Sequence, residues 1–213
     1  MALKLPSALD AERIEMPSKA GMLSFYRSRV TAAQEPPLLL VHSINAAGSA
    51  YEMKPIFDRF RDRRCVYAVD LPGFGFSERS DREYSPRLMA DAVHAVLERL
   101  LADESVDSVD AAALSLGSEF LSRAASERPE AFRTLCLISP TGMDSRGPYY
   151  QPTGSNRGNG LLYAFFRNPI WSRGFFNLLT SRTSIRYFLK KTYGRDQIDE
   201  DLLEYDYKTT HQP

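Results

Sequence analysis

Four short apolar runs, each separated from the next by helical patterning, constrain this chain more than any other feature. They are Leu38-Leu39-Leu40-Val41, Cys65-Val66-Tyr67-Ala68-Val69, Val109 with Ala111 to Leu114, and Thr134 to Ile138. Continuous apolar runs of this length fit strands buried on both faces, as at the centre of a parallel sheet. Between the second and third, Ser85-Pro86 offers an N-cap followed by proline at the first helical position. Leu88/Met89, Ala92/Val93, Val96/Leu97 and Leu100/Leu101 then recur at heptad-like spacing, which predicts an amphipathic helix. Strand–helix alternation from residue 38 to 139 demands right-handed parallel crossovers. The predicted class is therefore α/β, with a doubly wound and mostly parallel sheet. Ahead of it, loose alternation around Gly21 predicts a hairpin, about Ile14 to Met16 and then Met22 to Arg27. Ser49 and Glu52 read as a capping box opening a helix that Pro55 would kink or shorten.

The third run leads into Ser115-Leu116-Gly117, and a helical pattern follows with Phe120, Leu121, Ala124 and Ala125 on one face and Pro129 closing it. A strand that turns sharply into a helix lifts the hydroxyl of a serine at the turn off the strand's end. It also leaves the Leu116 N–H facing a developing oxyanion. Ala113-Leu114-Ser115-Leu116-Gly117 resembles the G-x-S-x-G nucleophile elbow of the α/β-hydrolase family, with Ala113 in place of the first glycine. Two further stretches resemble the same family. His42-Ser43-Ile44, at the end of the first run, is similar to its His-Gly-x oxyanion loop. There the N–H of Ile44 would be the second oxyanion donor and His42 would support the loop. Ser43 stands where the pattern has glycine, and its own N–H is an alternative donor. Asp70-Leu71-Pro72-Gly73-Phe74-Gly75-Phe76-Ser77 matches the D-x-P-G-x-G-x-S turn that follows a strand in many members. The same octapeptide also resembles the D-x-x-G switch segment of GTPases, but no G-x-x-x-x-G-K-[ST] phosphate cradle occurs in the chain, which excludes that class.

The resemblance covers residues 12 to 139, which it implies are the N-terminal part of a hydrolase core. Residues 140 to 213 are helical and aromatic and match a cap or lid only in character, inserted after the sixth strand and incomplete. Serine at the elbow implies acyl transfer with Ser115 as nucleophile. The substrate would be a small apolar ester, thioester, lactone or C–C bonded diketone. The family order, Ser then Asp or Glu then His, asks for a histidine after the last strand. His42 precedes the serine, His94 sits inside the amphipathic helix, and His211 follows a helical segment with no strand to position it. The expectation is that the usual acid and histidine lie outside these residues, with Asp144 as an alternative acid. A non-catalytic ligand-binding or interaction protein on a truncated scaffold is the competing reading.

Composition narrows the partners. The 213 residues carry 27 basic and 27 acidic side chains, and this zero formal charge argues against nucleic acid as a partner. Nothing in the motifs implies a cofactor or a metal. No apolar run approaches the ~20 residues that span a bilayer, and the acidic, weakly apolar start lacks the character of a signal peptide, so a cytoplasmic protein is expected. Between Ser145 and Arg195 there are basic residues and no acidic ones. Interleaved aromatics there are expected to form the core of the cap, with its arginines reaching water; contact with an anionic substrate or membrane surface is the alternative. Cys65 and Cys136 each fall in an apolar run and are expected to be reduced core residues.

Overall fold

The computed structural model describes residues 3–30, 33, 35–141, 159–194 and 197–212. The chain forms two compact units, one of Ser7–Tyr150 and a second made of Met1–Pro6 with Gln151–Pro213.

The first unit is an α/β sheet. Strands β1 (Glu12–Ser18) and β2 (Gly21–Arg27) form the hairpin, longer than the alternation alone predicts. Next come β3 (Leu38–Val41), a 3-10 turn (Ala50–Met53), α1 (Lys54–Phe60), β4 (Val66–Asp70) and α2 (Pro86–Glu104). They are followed by β5 (Val109–Leu114), α3 (Gly117–Glu127) and β6 (Phe132–Ile138). The sheet order is β1-β2-β4-β3-β5-β6. The hairpin joins it antiparallel, through β2 on β4, whereas β4, β3, β5 and β6 run parallel. The short runs are central for the reason given by their sequence: all four residues of β3 and all five of β4 are buried. Ser85 Oγ accepts the Leu88 N–H at 3.2 Å, and α2 buries the stripe Met89, Ala92, Val93, Val96, Leu97 and Leu100.

Three local expectations are corrected. The Ser49–Glu52 capping box does not form: Ser49 Oγ is buried with no partner among the described residues and Glu52 turns elsewhere. The chain instead makes a 3-10 turn first, which places Pro55 in the opening turn of α1, where its missing N–H costs little. Cys65 is buried but Cys136 is exposed. Cys136 lies on β6, the edge of the sheet, where most side chains remain accessible despite the apolar pattern.

The second unit contains α4 (Gly160–Arg167), α5 (Pro169–Leu179), α6 (Arg182–Tyr193) and α7 (Glu200–Thr210). Asn159, Asn168, Ser181 and Asp199 each cap the helix that follows. Phe165, Phe166, Trp171 and Phe175 stack with centroids 4.2–6.3 Å apart, tying α4 to α5. They do not make the filled core expected of them: no residue of α4 is buried, because two short helices leave each other's outer faces uncovered. Arginines of α6 pair with glutamates of α7, Arg186 with Glu200 at 2.8 Å and Arg182 with Glu204 at 3.0 Å. Yet α7 also buries Leu202, Leu203 and Tyr205, so it is not a wholly solvated helix. No helix among the described residues is long and apolar enough to cross a membrane.

Candidate active site

Ser115 occupies the turn between β5 and α3 with φ 52°, a left-handed conformation that few non-glycine residues adopt. Its neighbours hold it there. The Ser115 N–H donates to Ile138 O at 2.9 Å, and Ser115 O accepts from Thr141 N at 3.2 Å and Ser118 N at 3.1 Å. The end of β6 and the segment after it thus clamp both backbone groups of the serine. Thr141 Oγ1 lies 3.3 Å from Ser115 Oγ. Sequence reasoning did not single out Thr141, because only the pairing of β5 with β6 brings it to the turn.

Gly117 is required by contact with the neighbouring strand's end. A Cβ there would lie 2.3 Å from His42 O and 3.3 Å from Val41 Cγ1. Residue 42 therefore abuts the first turn of α3, and the His42-Ser43-Ile44 segment comes to the elbow. Ala113 is fully buried in β5, between Val41 of β3 and Leu137 of β6.

His42 is fully buried, and both of its nitrogens are engaged. Nε2 accepts the Leu71 N–H at 3.0 Å, which assigns the proton to Nδ1, and Nδ1–H donates to Ser43 O at 2.6 Å. The ring is a neutral brace between the ends of β3 and β4, with Phe74 edge-on at 5.4 Å. Ser43 is equally committed: its N–H donates to Glu52 Oε2 at 2.8 Å and its Oγ to Glu52 Oε1 at 2.9 Å. That N–H is spent and does not serve as the alternative donor. Asn45 Nδ2 bonds the same serine and carboxylate, at 2.8 and 2.6 Å, and completes the loop. Glu52 was visible in the sequence, but as a helix cap. By contrast, among the described residues neither the Ile44 N–H nor the Leu116 N–H has a hydrogen-bond acceptor.

The Asp70 octapeptide is a self-bonded knot beneath this site. Asp70 is fully buried; Oδ1 accepts from Ala50 N at 2.8 Å and Oδ2 from Phe76 N at 3.0 Å. Burial pushes its carboxyl above the usual range, against the pull of the Ala50 and Phe76 N–H groups. Gly75, at φ 50°, lies so close that a Cβ would overlap the carboxylate. Ser77 Oγ donates to Asp70 O at 2.5 Å and accepts from Ser24 N at 2.8 Å, tying the knot to β2.

Of the other candidates, His94 Nε2 lies 2.7 Å from Oε2 of Glu127, whose Oε1 pairs with Arg87, and so clips α2 to α3. His211 belongs to the second unit, where Nδ1–H donates to Tyr207 O at 2.7 Å. Asp144 lies outside the described residues. Among the described residues no group of three or more His, Cys, Asp or Glu side chains is placed to hold a metal ion.

Comparison with known proteins agrees with this architecture. The chain is 30% identical over 168 residues to the uncharacterized hydrolase YugF of Bacillus subtilis (strain 168), a match covering 78% of this chain and 55% of that protein. It thus spans about half the length of the curated relative it matches. Among solved structures, the carboxylesterase CesB of Bacillus subtilis superposes with a TM-score of 0.62 at 17% identity, over 96% of this chain and 62% of that one. The 2-hydroxy-6-oxo-6-phenylhexa-2,4-dienoate hydrolase of Rhodococcus sp. strain RHA1 does so with a TM-score of 0.65 at 19% identity, over 95% and 68%. These identities speak for the fold alone. Residues 38–212 match the Alpha/beta hydrolase family, and with the sheet order and the elbow already described, the chain belongs to that family.

Proposed function

We propose that this chain carries the nucleophile half of a serine hydrolase. One observation carries the reading: Ser115 is held at φ 52° on a strand-to-helix turn, and the Leu116 N–H that follows it has no acceptor among the described residues, nor does the Ile44 N–H of the segment that meets α3. In this mechanism Ser115 Oγ attacks the carbonyl carbon of a small apolar ester, thioester, lactone or diketone. The oxygen that becomes negative is received by the Leu116 and Ile44 N–H groups, which need no reorganisation at that moment. His42, Glu52 and Asn45 act by positioning the loop that presents Ile44. His42 is not the base that takes the serine proton, since both of its nitrogens are already engaged.

The test is the intact mass of the full-length protein carrying this sequence, with and without a fluorophosphonate probe. One adduct, absent in Ser115→Ala, is the expected result. A folded protein that takes no adduct would remove the hydrolase reading and leave a ligand-binding scaffold in its place.

A further inference from the structure

A groove of about 440 Å³ opens directly beside the elbow, within the size range of small-molecule sites. Ile44 and Leu116, whose N–H groups are open, also supply its near wall, and Phe74, Met89 and Phe120 line it beyond them. A carbonyl group held by those two N–H groups would have these side chains as its neighbours.

Each polar side chain that lines the groove already makes at least one hydrogen bond within the protein. Tyr84 OH donates to Ser80 O at 2.8 Å, and its ring lies so flat on Gly73 that a Cβ there would come within 2.7 Å of it. Ser85 Oγ accepts the helix-capping bond from Leu88 N. Glu119 is the one acidic lining residue among those described, and its Oε1 takes two bonds from Arg123, at 2.6 and 2.9 Å. Among the described residues no lysine or arginine lines the groove. A carboxylate on the substrate's tail would lose part of its water here and meet no lysine or arginine among the described lining residues in exchange.

We infer that this groove is the acyl subsite, and that it selects a neutral, apolar acyl group and rejects one ending in a carboxylate. The word acyl rests on the serine-hydrolase reading of Ser115; the selectivity rests on the groove itself.

Direct binding separates the two. With the Ser115→Ala form of the full-length protein, ligand-observed NMR titrations at pH 7 compare methyl hexanoate with monomethyl adipate, which has the same chain length and a terminal carboxylate. The neutral ester is expected to bind at least about tenfold more tightly. Filling the groove by Ile44→Trp, or by Met89→Trp should the first fail to fold, is expected to weaken methyl hexanoate by a similar factor. Equal or tighter binding of the adipate ester, or hexanoate binding that survives groove filling, would overturn the inference. Selective binding by a protein whose wild type takes no fluorophosphonate adduct would uphold the groove as a ligand site while removing the catalytic reading.

Discussion

Ser115 and Gly117 divide one structural problem between them. A non-glycine residue in the left-handed region stores about 1–3 kcal/mol of strain, which persists only where neighbours over-determine it. Here Ile138 O and Thr141 N do so. Gly117 lets α3 begin against the His42 carbonyl, and a backbone oxygen has little freedom to move aside. Gly117→Ala is therefore expected to destabilise the fold by about 1–3 kcal/mol, measured by urea denaturation, and to slow fluorophosphonate labelling. Ser115 and Gly117 could be picked out of the sequence because the strand-to-helix pattern records the turn they build, and His42 because its segment resembles the oxyanion loop of the family. Glu52 and Thr141 could not be assigned their partners, since a carboxylate three residues after a serine reads the same whether it caps a helix or braces a loop.

At the scale of elements, α2 and β6 show how far an apolar pattern can be read. In α2 the periodic stripe is the buried stripe, and Leu97 is fully enclosed. Leu97→Ala should cost about 2–5 kcal/mol, seen as a lower urea midpoint with an unchanged slope. In β6 an equally apolar run leaves Leu135 40% exposed and Cys136 accessible. Strand propensity is local, whereas burial depends on what covers each face, and β6 lies at the sheet's edge. The aromatics of α4 and α5 make the same point: their composition predicts a core, but within the second unit they stack on one another and stay largely exposed.

Across the sheet, Asp110 joins three elements at the end opposite the elbow. It accepts from Arg64 Nη2 at 2.6 Å, Arg133 Nε at 2.8 Å and Thr134 Oγ1 at 2.6 Å. Burial alone would raise its pKa, but those donors outweigh it and hold the carboxyl far below the usual range. A depressed carboxyl stabilises the fold above its unfolded pKa of about 3.9, and that contribution is lost as pH falls toward the folded value. The wild type is thus expected to lose stability steeply below about pH 4, and Asp110→Asn to be weaker at neutral pH with a flatter acid limb, both read from denaturation series over pH. For the whole molecule, periodicity along the sequence determined the strands, the amphipathic helix and the elbow, because each is a short-range pattern of side-chain type. Tertiary structure alone decided that β6 is the edge of the sheet these described residues form, that Glu52 braces the loop, that Ser43 has no N–H to spare and that each polar side chain lining the groove is already bonded. Each of those depends on which atoms from distant parts of the chain meet, and spacing along the chain does not record that.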